Sequence, residues 1–503
     1  MRASSHRRLY SFIIHHSAFI ILLAGCSDSS SYIPGEMGST RDVNERLFDS
    51  AIGLLNRLDE FDSEEALAQV VERLDQWVAA QRREKDWKPA ALVESLPESL
   101  AATPLMRKLD AMQFALADGP MLQETVWLRE AARFAVGRET EPLGRARELF
   151  DWTIRNLQLE PPAPASDSTA VGWLPWQILL RGRATADERA WIFALLARQQ
   201  GLDVVLLATL EDGEPRVWLP ALVHGGQLHL FDAELGVPIP RPNTNEIATL
   251  ADAIADAEVL SQLDVDGHDY RVKPEMLKKV VALVPASPQN LSERMHLVES
   301  RLAGRQRMEL TVDADGLAIE LRKLPNIADV QLWELPIARA RPATGADREQ
   351  WQKELLPFSL SGRYLWKGRV LELCGRMEGD RGALMSLMHV RPSEEEIETV
   401  QAAGGLDPKI EAAVRAGKLD ASYWLGIASF ERGNFDAASD YFSNRVLAVS
   451  PDGPWTEGAR YNLARTYEAQ GKFAEAVRTF KNTQGPQRAG NLLRARWIAE
   501  RKE

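Results

Sequence analysis

Residues 182–202 read GRATADERAWIFALLARQQGL, and residues 203–236 continue DVVLLATLEDGEPRVWLPALVHGGQLHLFDAELG. A short polar turn opens an apolar-patterned run, which predicts a helix over roughly 186–200. DVVLLATL is then a β-branched strand, and PRVWLPALV and GQLHLFDAEL are two more. His224-Gly225-Gly226 joins the last two, a hairpin signal. A helix feeding adjacent antiparallel strands places the middle of the chain in the α+β class.

Outward from this stretch the pattern changes. From Arg41 to Leu159 apolar residues recur at three- and four-residue spacing, as in SEEALAQVVERLDQWVAAQRRE (63–84) and LGRARELFDWTIRNLQL (143–159). Pro161, Pro162 and Pro164 then interrupt the chain. Downstream, GVPIPRPN (236–243) reads as irregular and TNEIATLADAIADAEVLSQL (244–263) as one helix. KKVVALVPAS (278–287) reads as a strand and SPQNLSERMHLVESRLAG (287–304) as a helix. RMELTVDADGLAIELRKL (307–324) reads as a hairpin turning at Ala314–Gly316, and helix resumes from about 360.

With 503 residues, 45% of them hydrophobic, the chain can bury several cores, and its length predicts two to four domains. The net charge of −12, with no basic stripe interleaved with aromatics, excludes a nucleic-acid partner. A basic segment (Arg2, Arg7, Arg8) precedes an apolar run from Phe12 to Leu23, too short to span a membrane comfortably. Leu23-Ala24-Gly25-Cys26 follows and resembles the lipoprotein box of bacteria. The resemblance implies cleavage before Cys26, lipidation of its sulfur and attachment to an envelope membrane, with the body facing the periplasm. An ordinary leader with a coincidental cysteine is the other reading. The polar residues after Cys26 read as a tether. The only other cysteine, Cys374, lies on the apolar face of an expected helix and reads as a buried structural thiol.

The central stretch resembles the transglutaminase-like (papain-type) family over about residues 140–245. In that family a helix opens with a nucleophilic cysteine, a strand begins near H-x-W, and a further strand ends in aspartate. Here Gly182, Ala184, Ala186, Glu188 and Ala190 fall on the first pattern, Arg216-Val217-Trp218 on the second, and Asp232 on the third. The implied Cys-His-Asp triad thus becomes Ala186, Arg216 and Asp232. Alanine supplies no nucleophile, and arginine stays protonated and cannot act as a base. The expectation is a pseudoenzyme in which Arg216 and Asp232 form an ion pair. A relocated hydrolase or acyltransferase site would draw on Thr185 and Asp187, with His224 or His229 as base. His229 precedes Asp232 by three residues, so the two fall on opposite faces of a regular strand.

In the last quarter Leu425, Gly426, Gly433, Phe435, Ala438 and Phe442 correspond to Leu463, Ala464, Gly471, Phe473, Ala476 and Phe480, a spacing of 38 residues. These segments resemble tetratricopeptide repeats, whose usual period is about 34. A weaker unit upstream keeps Trp366 and Gly375 at the spacing of Trp424 and Gly433. The resemblance implies an α-solenoid whose groove holds a protein or peptide, with Trp424, Tyr461 and Tyr467 as candidate groove aromatics. The other reading is that these helices only cap the body.

DVDGHDY (264–270) and DADG (313–316) read as turns rather than cation loops, and His268, His296 and His389 are isolated. No phosphate loop or dinucleotide fingerprint occurs, so neither metal nor cofactor is expected. The chain is thus expected to be a multidomain α+β protein: leader 1–25, tether 26–40, helical region 41–139, transglutaminase-like core 140–285, mixed region 286–350 and repeat-like helices 360–503. The expected function is that of an envelope lipoprotein scaffold or adaptor. A residual hydrolase on envelope peptides and a plain structural spacer are the alternatives.

Overall fold

The computed structural model describes residues 40–60, 63–81, 87–162, 172–360, 364–402 and 407–500. The leader and Cys26 lie outside the described residues. The fold is mixed α+β, with one six-stranded sheet and a helical C-terminal part.

Three helices open the described chain: α1 (Thr40–Leu55), α2 (Ser63–Ala79) and α3 (Asp118–Val136). They are followed by α4 (Pro142–Asn156), the short strand β1 (Gln158–Leu159), α5 (Pro175–Arg181), the short strand β2 (Arg183–Ala184) and α6 (Ala186–Arg198). β1 and β2 pair in parallel, which brings the chain around Gln158 beside the turn before α6.

The main sheet contains β3 (Val204–Glu211), β4 (Glu214–His224), β5 (Gln227–Asp232), β6 (Val237–Pro238), β7 (Val280–Val284) and β8 (Ile327–Leu332), in the order β6-β5-β4-β3-β7-β8. The β4–β5 hairpin turns at Gly225 and Gly226, both at positive φ (60° and 70°), as a two-residue turn with right-handed twist requires. β3 lies inside the sheet, which explains its unbroken apolar run. Val204, Leu206 and Ala208 face α4 and α6, where Phe150, Phe193 and Phe231 sit with ring centroids 5.1–5.2 Å apart. Val205 and Leu207 face the opposite core, built from residues 250–277, from Leu317 and Leu321, and from Leu92, Leu96 and Met106.

Three expectations change here. The hairpin at Ala314–Gly316 is instead a helix, α8 (Ala314–Leu321), because the Asp313 side chain accepts from Gly316 N (2.9 Å) and caps it. This helix carries the chain from β7 to β8, which pair in parallel. The helix expected over 244–263 is two short pieces, α7 (Leu250–Ala255) and a single turn at Glu258–Ser261. Asp256 takes an extended conformation between them, and Ile247 is spent bridging Pro240. That bridge and β6 also give the supposedly irregular 236–243 segment its pairing.

Cores cross the expected boundaries. Met295 and Val298 of a helix at Glu293–Arg301, and Leu302 just after it, join the core of α1, α2 and α3, and Leu92, Leu96, Met106 and Leu109 pack under the sheet. After a turn of helix at Glu334–Arg339 come α9 (Gly345–Leu360), α10 (Tyr364–Leu373), α11 (Ala383–His389), α12 (Glu394–Ala402), α13 (Pro408–Glu431), α14 (Phe435–Asp440), α15 (Thr456–Ala469), α16 (Phe473–Lys481) and α17 (Arg488–Glu500). α10, α13 and α15 end alike. Gly375, Gly433 and Gly471 sit at φ 70°, 73° and 71°. The next N–H in each case, from Arg376, Asn434 and Lys472, bonds back to Leu371 O, Ser429 O and Tyr467 O. This is a left-handed C-cap, which glycine adopts without strain.

Candidate functional site

The turn before α6 holds Ala186, the position that the sequence resemblance aligns with a nucleophile. Thr185 caps the helix: its hydroxyl accepts from Glu188 N (3.3 Å), and the Glu188 carboxylate accepts from Thr185 N (3.0 Å). That reciprocal pair holds the Thr185 hydroxyl on its own helix. Ala186, half-buried, is the first helical residue. The next side chain, the exposed Asp187, feels the charges of Arg271 and Arg339. Gly182, at φ 64°, ends α5, and a Cβ there would lie 3.1 Å from Trp455 and 3.4 Å from the Trp424 indole nitrogen. Two tryptophans of the C-terminal helices therefore cover this turn.

Asp232 ends β5 and is buried, at 4% exposure. One carboxylate oxygen accepts from Glu234 N (2.9 Å) and Leu235 N (2.8 Å), closing the turn that follows. The other accepts from the Tyr270 hydroxyl (2.7 Å), which itself accepts from Trp218 Nε1 (2.8 Å). Burial pushes the Asp232 carboxyl up against these lowering bonds, and burial with the adjacent carboxylate pushes the Tyr270 phenol well above its ordinary value. The expected Arg216–Asp232 ion pair is not formed. Arg216 is exposed on β4 opposite Thr209, and Tyr270 occupies the place beside Asp232. Arg271 is the nearer cation; its guanidinium bonds Val217 O and Trp218 O (both 3.0 Å), across the bulge in β4.

Among the described residues no hydrogen bond or ion pair joins the three aligned positions, although α6 reaches the end of β5, where Arg189 donates to Ala233 O (3.2 Å). α6 packs on one face of the sheet, whereas Trp218, Tyr270 and the strand neighbours of Asp232 belong to the other. His229 lies opposite Leu222 on the α6 face, 6.3 Å between ring centroids from His224, and burial lowers its pKa. Its Nδ1 has no hydrogen-bond partner among the described residues. Thr185 bonds Glu188 and Asp232 bonds Tyr270, so no bonded chain links hydroxyl, imidazole and carboxylate. Among the described residues no group of three His, Cys, Asp or Glu side chains could hold a metal ion. Cys374 is buried, as expected.

Of the candidate groove aromatics, Trp424 and Tyr461 are buried, at 1% and 3% exposure. Trp424 stacks on Phe358 and meets Trp455 edge-on (centroids 5.7 and 6.0 Å). Tyr461 packs on Phe480 and joins the core of α4 and α6. Tyr467 is half-buried, beside Lys472. The reason is that the body of the protein fills the inner side of these helices. Gln158 Nε2 donates to Pro454 O (2.8 Å) and its carbonyl accepts from Gly458 N (2.7 Å). Asn462 donates to Arg155 O (3.1 Å), and Arg369 reaches Leu179 O (3.0 Å) and the Asn156 side chain (3.2 Å). Asp151 of α4 takes Arg465 and Arg494 from α15 and α17, together with its neighbour Arg155.

Sequence reasoning missed Tyr270, Arg271 and Gln158. The only signal for the first two was an acid-rich turn, and for Gln158 there was none. No protein-family profile, curated protein or solved structure matches this chain. No described helix is long and apolar enough to cross a membrane.

Proposed function

We propose that the chain is a bacterial envelope lipoprotein, anchored through Cys26, that works as a non-catalytic scaffold for a protein partner. Its centre is read as a transglutaminase-like body that has lost its chemistry, and its C-terminal helices as tetratricopeptide-like units braced on that body. The observation that carries this reading is the turn at Thr185–Glu188. Where the family has its thiol, Ala186 offers a methyl group, and the adjacent hydroxyl is engaged in a helix cap. The base position is an exposed arginine, and the orienting carboxylate is bonded to a tyrosine. What the repeat-like helices hold on their inner side is the protein itself, around Gln158 and Gly182. The partner therefore meets the outer surfaces of the assembled molecule.

The test is affinity capture from detergent-solubilised cells, with the full chain as bait and a Cys26→Ser bait beside it. The expected result is one envelope protein captured reproducibly by the full chain, with the serine variant lost from the membrane fraction. Hydrolysis or acyl transfer on envelope peptides by the purified chain, abolished by Thr185→Ala, would overturn the non-catalytic reading.

A further inference from the structure

Among the methionines of the described residues only Met385 and Met388 are exposed, at 44% and 48%, and both stand on α11. Two donors address the sulfur of Met388. The Tyr441 hydroxyl and an Arg391 Nη each lie 3.6 Å from its Sδ. Around Met385 the only side-chain bond among the described residues goes to its carbonyl, from His389 Nδ1 (2.6 Å). Both donors at Met388 are held from elsewhere. Arg391 follows α11, and its Nε donates to Ser422 Oγ (3.0 Å) on α13. Its guanidinium carbon lies 5.4 Å from the centroid of the Tyr441 ring. Tyr441 opens a π-helical turn, Tyr441–Leu447, directly after α14. Such turns are rare and concentrate at functional sites.

A thioether sulfur is a weak acceptor, so a phenol and a charged guanidinium gain little from it. A sulfoxide is different, because oxidation makes the side chain polar and gives it an oxygen acceptor. An oxygen added to Sδ on the donors' side comes within ordinary hydrogen-bond reach of them, and neither donor has to leave its other contacts. Oxidation of a methionine packed in a core or an interface disrupts the packing. At Met388 the side chain is exposed, and donors for the new oxygen already stand in place.

We propose that Met388 is a site of oxidation to the sulfoxide by a hydroperoxide, with Tyr441 and Arg391 holding the added oxygen. A lone pair of Sδ attacks the terminal peroxide oxygen. The S–O bond forms as the O–O bond breaks, so sulfur is oxidised by two electrons and the peroxide is reduced. The displaced oxygen takes the proton of the transferred one and leaves as water, or as an alcohol from an organic hydroperoxide. The product fastens α11 to the π-helical turn after α14. Oxidation therefore tightens the packing of the C-terminal helices.

The test uses the full chain carrying Met37→Leu and Met385→Leu, treated with hydrogen peroxide until peptide mass mapping shows an oxygen on Met388. That oxygen is expected before any on the buried methionines. The oxidised chain should melt about 1 °C or more above the untreated chain. Met388→Leu in the same background should abolish the gain. Tyr441→Phe should remove about half of it or more, and should that variant fail to fold, Arg391→Gln takes its place. Oxidation of buried methionines ahead of Met388, a melting temperature unchanged or lowered by the oxygen, a gain that persists in Met388→Leu, or a gain undiminished in the donor variant would each overturn the proposal.

Discussion

The α-carbon of Gly490, in the first turn of α17, rests on the carbonyl oxygen of Leu235, just past the end of β5. A methyl group at position 490 would overlap that oxygen. The obstacle is backbone, so no side chain can rotate out of the way, and α17 itself has to move. Overpacking of this kind costs about 1–3 kcal/mol, more than alanine returns through helix propensity this early in a helix. Gly490→Ala is expected to lower the urea midpoint and to speed proteolysis of the C-terminal helices. Gly53, inside α1, has nothing within 4 Å of its would-be Cβ. Gly53→Ala should stabilise the chain by up to about 1 kcal/mol and so raise the midpoint.

Removing Trp424 separates a structural role from a binding role. It is fully enclosed by Phe358 and Trp455, with the Arg369 guanidinium 5.1 Å from its ring centroid. Trp424→Ala should destabilise the chain by about 3–5 kcal/mol. Tyr467→Ala, at a half-buried site, should cost clearly less. Equal stability for Trp424→Ala and wild type in urea unfolding would contradict the packing described.

Tyr270→Phe removes one oxygen and leaves two buried partners without a bond, Trp218 Nε1 and one Asp232 oxygen. The expected cost is about 2–3 kcal/mol, well above that of an exposed tyrosine hydroxyl. The melting temperature checks it, with Tyr364→Phe, at an exposed residue, as the control.

Burial pushes the Glu124 carboxyl up to about 8, and a single backbone N–H, from Trp176 (3.1 Å), opposes it. Unfolded, the group titrates near 4.5. Between these values the folded chain keeps a proton that the unfolded chain has lost, so the group's contribution to stability falls as pH rises. Glu124→Gln removes that slope while keeping an acceptor for Trp176 N. The variant's stability advantage should be close to zero at pH 4.5 and grow until about pH 8. A difference that is flat across this range in urea unfolding would refute it.

The strands and the helix before them were legible because their signals are local. Residues 186–198 and 204–232 carry their periods in neighbouring side chains, and Gly225-Gly226 declares its own turn. The three Gly-capped helices were visible for the same reason. The helix at Ala314–Leu321 was misread because its cap, Asp313, has the composition of a hairpin turn. Its apolar residues, Leu317 and Leu321, show their helical purpose only against the sheet. Register was not legible. A bulge between Leu207 and Ala208 resets which face of β4 each residue takes, and no local pattern announced it.

By itself the sequence determined that the chain has an α+β centre, a helical C-terminal part, and no cysteine or histidine at the positions aligned with a thiol triad. Those properties follow from residue identity and short-range periodicity, which the chain carries whatever it packs against. Tertiary structure alone decided that Trp424 and Tyr461 are core residues, that Asp232 answers to Tyr270, and that Arg189 is buried with its guanidinium bonded to the Leu157 and Ala233 carbonyls. Each of these depends on contacts between segments tens to hundreds of residues apart. An aromatic on a helix face looks the same in sequence whether a partner or the protein's own β1–β2 ribbon lies over it.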